Sequence, residues 1–345
     1  MTKMLQSPVV GDCAWHGPAM ARDTGWVHSL TTSDIAEIDA ALAETKAASL
    51  PHLSFGKDAF PLPTLGPKIE AILAEVQHGR GFAVLRGLQV DQYSRDDLET
   101  VYWGLGCYMG RPISQNGEGH LLAEVTDKGS SYSANVNDRG YRSRDKLNPH
   151  VDTSDMTALL CVRQADDGGL SSVASSAAIY NEILARRPDL MPIYYDGFHH
   201  DLRGEGPTGS FDEVTHERIP VFSYHEGLIS CCYNDKIMRS AHEKCGKPLS
   251  AEGLEAIDLL LEVAESAEIR LDFRMQQGDI QFINNFALLH FRSAFESHPD
   301  PEQRRLLLRL WMNNYEPRPL AANFSDRYNT GPRGGVYSAK AHAAE

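Results

Sequence analysis

The sequence contains no run of 18 apolar residues, about the length a membrane-crossing helix needs. Its opening, Met1-Thr-Lys-Met-Leu-Gln-Ser-Pro8, has none of the apolar stretch that a secretory leader carries. Neither a signal peptide nor a membrane partner is therefore expected. Basic residues are outnumbered: 33 Lys and Arg stand against 47 Asp and Glu, a formal net charge of -14. Nonspecific nucleic-acid binding rests on Lys and Arg neutralising phosphates, so no nucleic-acid partner is expected either. Cysteine is sparse, and Cys13, Cys107, Cys161, Cys231, Cys232 and Cys245 form no Cys-x-x-Cys pair. That pattern suits buried thiols in a reducing, cytoplasmic setting. No Gly-x-Gly-x-x-Gly follows a strand pattern and there is no P-loop, which leaves nucleotide-binding folds without support. Internal repeats are absent as well.

What remains is a chain of 345 residues, 42% of them apolar, enough for one large domain with a sizeable core. Residues 1–30 read as irregular, with Trp15 and Trp26 as anchors. A helix is expected over residues 34–47, capped by Thr31–Asp34 and striped by Ile35, Ile38 and Leu42. A second carries Ile69, Ile72 and Val76, and a third opens at Ser94. Phe82-Ala-Val-Leu85 reads as a buried strand, and 156–176 as strand, turn, strand. Ile219 to Tyr233 reads as a hairpin turning at Glu226-Gly227. A helix capped by Ser250 should turn Leu254, Ile257, Leu261 and Ala264 inward. Ile269, Leu271, Phe273 and Met275 alternate with polar residues as a half-buried strand does. The expected fold is mainly β with flanking helices, a sandwich or jelly roll. The whole chain, 1–345, is read as a single domain. Residues 1–80 form a helical N-terminal part on the barrel and 329–345 a loose tail. The long polar stretch 126–149 is a candidate active-site lid.

Chemistry concentrates where that lid ends. In Asn148-Pro-His150-Val-Asp152, an imidazole and a carboxylate stand two residues apart, and on extended chain they share a face. With a second histidine they make the two-His-one-carboxylate set that holds Fe(II) and leaves coordination positions open. His290 is the candidate. Two other His-x-Asp pairs exist, His199/Asp201 and His298/Asp300, the latter inside a Pro-rich turn. Further on, Arg305, Leu307, Arg309 and Trp311 fall on one face of an apolar strand. Two arginines there either snorkel to the rim and pair with acids or form a cationic wall for a carboxylate ligand.

These elements together resemble the Fe(II)/2-oxoglutarate dioxygenases of the taurine dioxygenase (TauD/TfdA) and clavaminate synthase group. The resemblance runs over about residues 80–320. It includes Gly168-Gly169-Leu-Ser171, like the family's turn after the strand that follows His-x-Asp. It also includes Gly278-Asp279 to Asn284-Asn285, like the lead-in to the distal histidine, and the spacing of 15 residues from His290 to Arg305. Of the three His-x-Asp pairs, only His150/Asp152 has this downstream context.

The resemblance implies a double-stranded β-helix and a cytoplasmic oxidoreductase using Fe(II), 2-oxoglutarate and O2. The metal ligands and catalytic residues would be His150, Asp152 and His290. Arg305 and Ser171 would grip the distal carboxylate of 2-oxoglutarate, and Arg309 would serve either the substrate or the cosubstrate. The partner is a small-molecule substrate, anionic or zwitterionic, and a homo-oligomer is left open. Asn137-Asp-Arg-Gly-Tyr141 resembles the lid of γ-butyrobetaine hydroxylases, which makes Asn137 and Tyr141 candidates for the substrate side. Asn284 and Asn285 are expected to orient His290. A carboxylate at Asp152 favours hydroxylation over halogenation. Two readings compete: a metal-dependent hydrolase, which would have no use for Arg305 and Ser171, and a non-catalytic ligand-binding or sensing module.

Overall fold

The computed structural model describes residues 4–133, 137–325 and 335–336. The strands are β1 (Val27–Ser29), β2 (Phe82–Arg86), β3 (Arg111–Pro112), β4 (Leu122–Val125), β5 (Leu147–His150), β6 (Met156–Arg163) and β7 (Ser171–Ser175). They continue with β8 (Phe222–His225), β9 (Leu228–Cys231), β10 (Arg270–Phe273), β11 (Ile280–Asn284), β12 (Leu288–Arg292) and β13 (Leu306–Asn313). A seven-stranded sheet runs β1-β2-β11-β6-β13-β3, with β4 also on β13, and faces a four-stranded sheet ordered β10-β7-β12-β5. The chain therefore crosses from one sheet to the other after β4, β5, β6, β10, β11 and β12. This is a double-stranded β-helix with helices packed outside it.

Strand periodicity decides which side chains enter the barrel. Along β13, Leu308, Leu310 and Met312 join the apolar cluster under the helices, together with Ala158, Leu160, Ile280 and Phe282 from β6 and β11. The alternate residues Leu307, Arg309 and Trp311 turn inward, and so do Leu159 and Gln281. Three helices cover the outer face: Thr32–Ala47, Leu65–His78 and Arg95–Met109. The first starts on a complete capping box, Thr31 with Asp34, and the third on Ser94 accepting from the Asp97 amide. The smaller sheet and the helices Ser176–Arg186 and Ala251–Glu265 share a second cluster. The Gly278-Asp279 turn is fixed by Arg86, whose guanidinium grips the buried Asp279 carboxylate through two bonds of 2.8 Å.

Some local expectations need correction. Residues before 30 are not wholly irregular: Gly17–Arg22 is helical, and β1 adds a parallel strand beside β2. Trp15 and Trp26 do anchor this segment, both on Phe82, with ring centroids 5.5 and 5.4 Å away. Helix Ala251–Glu265 buries Ala256, Ile257, Leu260, Val263 and Ala264, while Leu254 stays 39% exposed. Leu261, also expected to face inward, is half-buried, because the buried stripe runs through Ala256, Ile257, Leu260 and Val263. The strands β6 and β7 do not pair with each other; the Gly168-Gly169 turn carries the chain between sheets. Both glycines have positive φ, 73° and 67°, and a Cβ on Gly168 would lie 2.2 Å from the Ala294 carbonyl oxygen. The expected tail, 329–345, lies outside the described residues except for 335 and 336, and so do residues 134–136 of the 126–149 stretch. No helix among the described residues is long and apolar enough to cross a membrane.

Candidate active site

His150 ends β5 and His290 stands directly opposite it on β12. Directly opposed residues of an antiparallel pair project to the same face, and the two imidazoles lie 4.4 Å apart, centre to centre. Two residues after His150, on the crossing to β6, Asp152 reaches back toward both. Its carboxylate lies 4.0 Å from His150 Nε2 and 3.6 Å from His290 Nε2. One donor atom from each residue can be chosen so that all three lie within 4.8 Å of one another.

The surroundings orient these donors. The Asn148 carbonyl, 2.8 Å from His150 Nδ1, keeps the proton there and leaves the Nε2 lone pair facing Asp152. Asp152 Oδ2 accepts from Thr157 Oγ1 and Trp311 Nε1, both at 2.8 Å. Its own amide donates to Asn285 Oδ1, whose amide nitrogen in turn bonds Ser154 and Thr157. Asn285 thus orients Asp152 and not His290, contrary to the sequence expectation. Asn284 is engaged elsewhere, tying helix Leu65–His78 to the barrel through the Val76 carbonyl. Burial works against the Asp152 charge, yet Arg309 and the two histidines hold its pKa well below the usual carboxylate range. Burial, with the neighbouring His290, pushes the His150 pKa down to about 4, so the imidazole is a neutral lone-pair donor at neutral pH. Two imidazoles and one carboxylate are a donor set that suits Fe(II).

The outer partners should matter for metal affinity. Trp311→Phe, which keeps the ring and removes only the indole N–H, is expected to weaken Fe(II) binding about 10- to 100-fold. Competition with a chromogenic chelator reads this directly, and unchanged affinity would show the bond to be dispensable.

Two cavities meet at the His/Asp/His set. One is lined by Ser171, Arg292, Arg305 and Leu307, the other by Gln115, Arg139, Arg203 and Glu205. His150, Asp152, Tyr141 and Arg309 border both. In the first, Arg305 is only 3% exposed. Its Nε donates to Gln164 Oε1 at 2.9 Å, while Nη1 is buried with no hydrogen-bond partner among the described residues. Gly169 backs this guanidinium so closely that a Cβ there would lie 3.1 Å from Arg305 Nε. Burial pushes the Arg305 pKa down to about 10. An under-satisfied guanidinium beside a serine fits the terminal carboxylate of a dicarboxylic acid. Arg309 behaves differently: its Nε donates to Gln115 Oε1 at 2.7 Å, and its guanidinium lies over Tyr141 and Trp311, 3.7 Å from Asp152 Oδ1.

Asn137 stands away from both cavities, with its amide oxygen 3.4 Å from Lys244 Nζ. The other His-x-Asp pairs are occupied locally. Asp201 holds Ser240 and Lys244, His199 Nδ1 faces the Thr215 carbonyl, and His298 is exposed. Several lining residues went unrecognised in the sequence. Arg292 follows His290 by two and shares its face, so periodicity alone would have found it. Gln115, Arg139, Arg203 and Glu205 lie on loops, where no periodic pattern marks them.

The model of the family described as taurine catabolism dioxygenase TauD, TfdA matches residues 44–311. The FR-33289 synthase of Streptomyces rubellomurinus is 30% identical over 331 residues, 94% of this chain and 96% of that protein. A taurine hydroxylase-like protein, SAT17, of Stachybotrys chartarum is 31% identical over 314 residues, 87% and 78% of the two chains. Among solved structures, an asparagine oxygenase in complex with Fe(II), 2S,3S-3-hydroxyasparagine and succinate superposes with a TM-score of 0.65 at 16% identity. That match covers 84% of this chain and 94% of the other. The non-heme iron oxygenase OrfP in complex with Fe and α-ketoglutaric acid gives 0.61, also at 16% identity, covering 83% and 94%. At such identity the likeness to the solved structures is one of fold.

Proposed function

Because this chain belongs to the TauD/TfdA family and is a 2-oxoglutarate-dependent dioxygenase, we propose that His150, Asp152 and His290 hold its Fe(II) and that Arg305, with Ser171, holds its 2-oxoglutarate. The enzyme oxidises an unactivated C–H of a small molecule, coupled to decarboxylation of 2-oxoglutarate to succinate and CO2. The bound iron and cosubstrate supply the oxidising power from O2; the protein's own contribution is binding, orientation and exclusion of water. Arg305 fixes one end of the cosubstrate so that the other end points at the His/Asp/His set. Thr157, Trp311 and Asn285 keep the Asp152 carboxylate aimed. Tyr141 and Arg309, bordering both cavities, divide the cosubstrate from the substrate. The observation that carries this reading is the Arg305 guanidinium, buried beside Ser171 with an unsatisfied donor.

Hydroxylation is the outcome we assign. The carboxylate at position 152 supports it, as does the hydroxylated amino acid named with the structurally similar asparagine oxygenase. The decisive experiment is substrate-stimulated succinate formation across amino acids, betaines, sulfonates and aryloxy-acids. Turnover that ignores 2-oxoglutarate would favour a hydrolase, and ligand binding without succinate would favour a sensing module. A cytoplasmic location is supported by the cysteines, all six of them free thiols.

Residues 126–149 act as the lid in this reading. Their ends are fastened: the Thr126 and Lys128 amides donate to the Tyr141 and Arg142 carbonyls, both at 3.0 Å. Arg292 holds the carbonyls of Ser143 and Asp145. Hydrogen exchange across the segment is expected to slow when Fe(II), 2-oxoglutarate and substrate are added together. Strong protection already present without ligands would contradict a moving lid.

A further inference from the structure

Resting on that reading, we infer that Arg292 is a positioning residue: it senses the distal carboxylate of bound 2-oxoglutarate and then fixes the chain segment that delivers His150. Its place on β12 suggests this. Arg292 stands directly opposite Ser171 on β7, and on its other side it pairs with Leu147 on β5. Its side chain lines the same cavity as Arg305 and Ser171, and it is only 6% exposed. Both guanidiniums lie over the Phe295 ring, Arg292 at 4.6 Å and Arg305 at 5.3 Å from its centroid.

Three observations carry the inference. First, the two arginines lack a counter-ion. Their hydrogen bonds all go to neutral oxygens: Arg305 to Gln164, and Arg292 to the carbonyls of Ser293, Ser143 and Asp145. Among the described residues no carboxylate forms an ion pair with either. Two like charges are thus buried around one ring, and a buried charge is costly unless paired. One carboxylate on Arg305 would compensate both, replacing repulsion by attraction. Second, Arg292 grips the end of the lid stretch. Its Nη2 holds the Ser143 carbonyl at 2.9 Å and also that of Asp145, while the Phe295 amide donates to the Arg144 carbonyl between them at 3.1 Å. Three successive carbonyls are therefore held by Arg292 and by the residue on which Arg305 rests. Third, this segment has little support of its own. The β5–β12 ladder joins His150 to His290 and Leu147 to Arg292, so three residues of β5 span two of β12. That is a β-bulge, and it falls at Asn148-Pro149, where Pro149 has no N–H to add to the ladder. The approach to the first metal ligand thus leans on the bonds of Arg292. The coupling is reciprocal: whatever the carboxylate adds to the hold on residues 143–145, that hold adds to the affinity for the carboxylate.

The test follows hydrogen exchange at residues 143–148 of the anaerobic Fe(II) protein. The probes are 2-oxoglutarate and 2-oxopentanoate, the same 2-oxo acid without the distal carboxylate. Each is added to saturation of the visible charge-transfer band. In wild type 2-oxoglutarate should slow exchange across this segment and 2-oxopentanoate should not, a comparison that needs no variant to fold. Arg292→Gln should abolish the slowing by saturating 2-oxoglutarate. It should also weaken 2-oxoglutarate binding about 5- to 150-fold, the usual span of a coupling between sites. Arg292→Lys, which keeps the charge, should recover part of both. A side chain that only supported the fold would lower protection equally with and without 2-oxoglutarate and leave its increment intact. That result overturns the inference, as does equal slowing by 2-oxopentanoate in wild type. Absence of the charge-transfer band with either acid would sink the iron and cosubstrate reading and this inference with it. A normal band with no slowing at residues 143–148 sinks the inference alone, so the two failures are distinguishable.

Discussion

Replacing His150 or His290 by alanine is expected to abolish iron-dependent turnover of 2-oxoglutarate while the barrel stays folded. The two imidazoles are a directly opposed pair on β5 and β12, and among the described residues neither His199/Asp201 nor His298/Asp300 belongs to a group of donors that converges closely enough to hold a metal ion. Loss of an outer partner of a metal ligand already costs about 10- to 100-fold in affinity or activity; loss of a ligand itself should exceed that. The fold should survive, because both side chains project into the barrel mouth and the apolar clusters do not depend on them. Iron binding by chelator competition and succinate formation give the two readouts. His199→Ala and His298→Ala are the controls. If either silences the enzyme while His150→Ala remains active, the metal has been assigned to the wrong pair.

Arg305→Ala should weaken 2-oxoglutarate binding by roughly 2–5 kcal/mol, the range for truncating one partner of a buried charge pair. That is about 30- to 5,000-fold in Kd. Lysine keeps a charge but loses the planar fork, so Arg305→Lys should fall between alanine and wild type. Iron affinity should hardly move, since Arg305 bonds Gln164 and is not one of the three proposed ligands. Binding is followed by the visible charge-transfer band of the anaerobic Fe(II)–2-oxoglutarate complex. The outcome that defeats the assignment is an Arg305→Ala titration like wild type beside an Arg309→Ala titration that fails. The two arginines would then have exchanged roles.

What could be read without coordinates was whatever repeats locally. The inward face of β13 follows from alternation alone: Arg305, Leu307, Arg309 and Trp311 are two apart, and all four side chains are buried. His150 and Asp152 were legible for the same reason, and the Gly168-Gly169 turn because only glycine tolerates that backbone so close to Ala294. The pairing of His290 with His150 was not legible from spacing, because it joins residues 140 positions apart. It had to be brought in through the family resemblance. Asn285 was placed near the site but given the wrong neighbour, since sequence proximity favoured His290 and the turn actually aims its amide at Asp152. Arg139, Arg203 and Glu205 were invisible. They sit on loops whose shape is set by bonds to helix Asp235–Lys244 and to one another, and no periodicity encodes such contacts.

The way Asp152 is held has a mechanical consequence. Both histidines belong to the four-stranded sheet. Asp152 lies on the crossing strap, and its carboxylate is tied to Thr157 on β6 and Trp311 on β13, in the seven-stranded sheet. An ion shared by the three is therefore a rivet through both walls of the barrel at its open end. Any divalent ion the set accepts, including one unable to react with O2, should raise the unfolding temperature in proportion to the logarithm of its excess over Kd. The mouth of the barrel thus gains rigidity from the cofactor before any substrate arrives, and a chain stripped of metal should loosen there first.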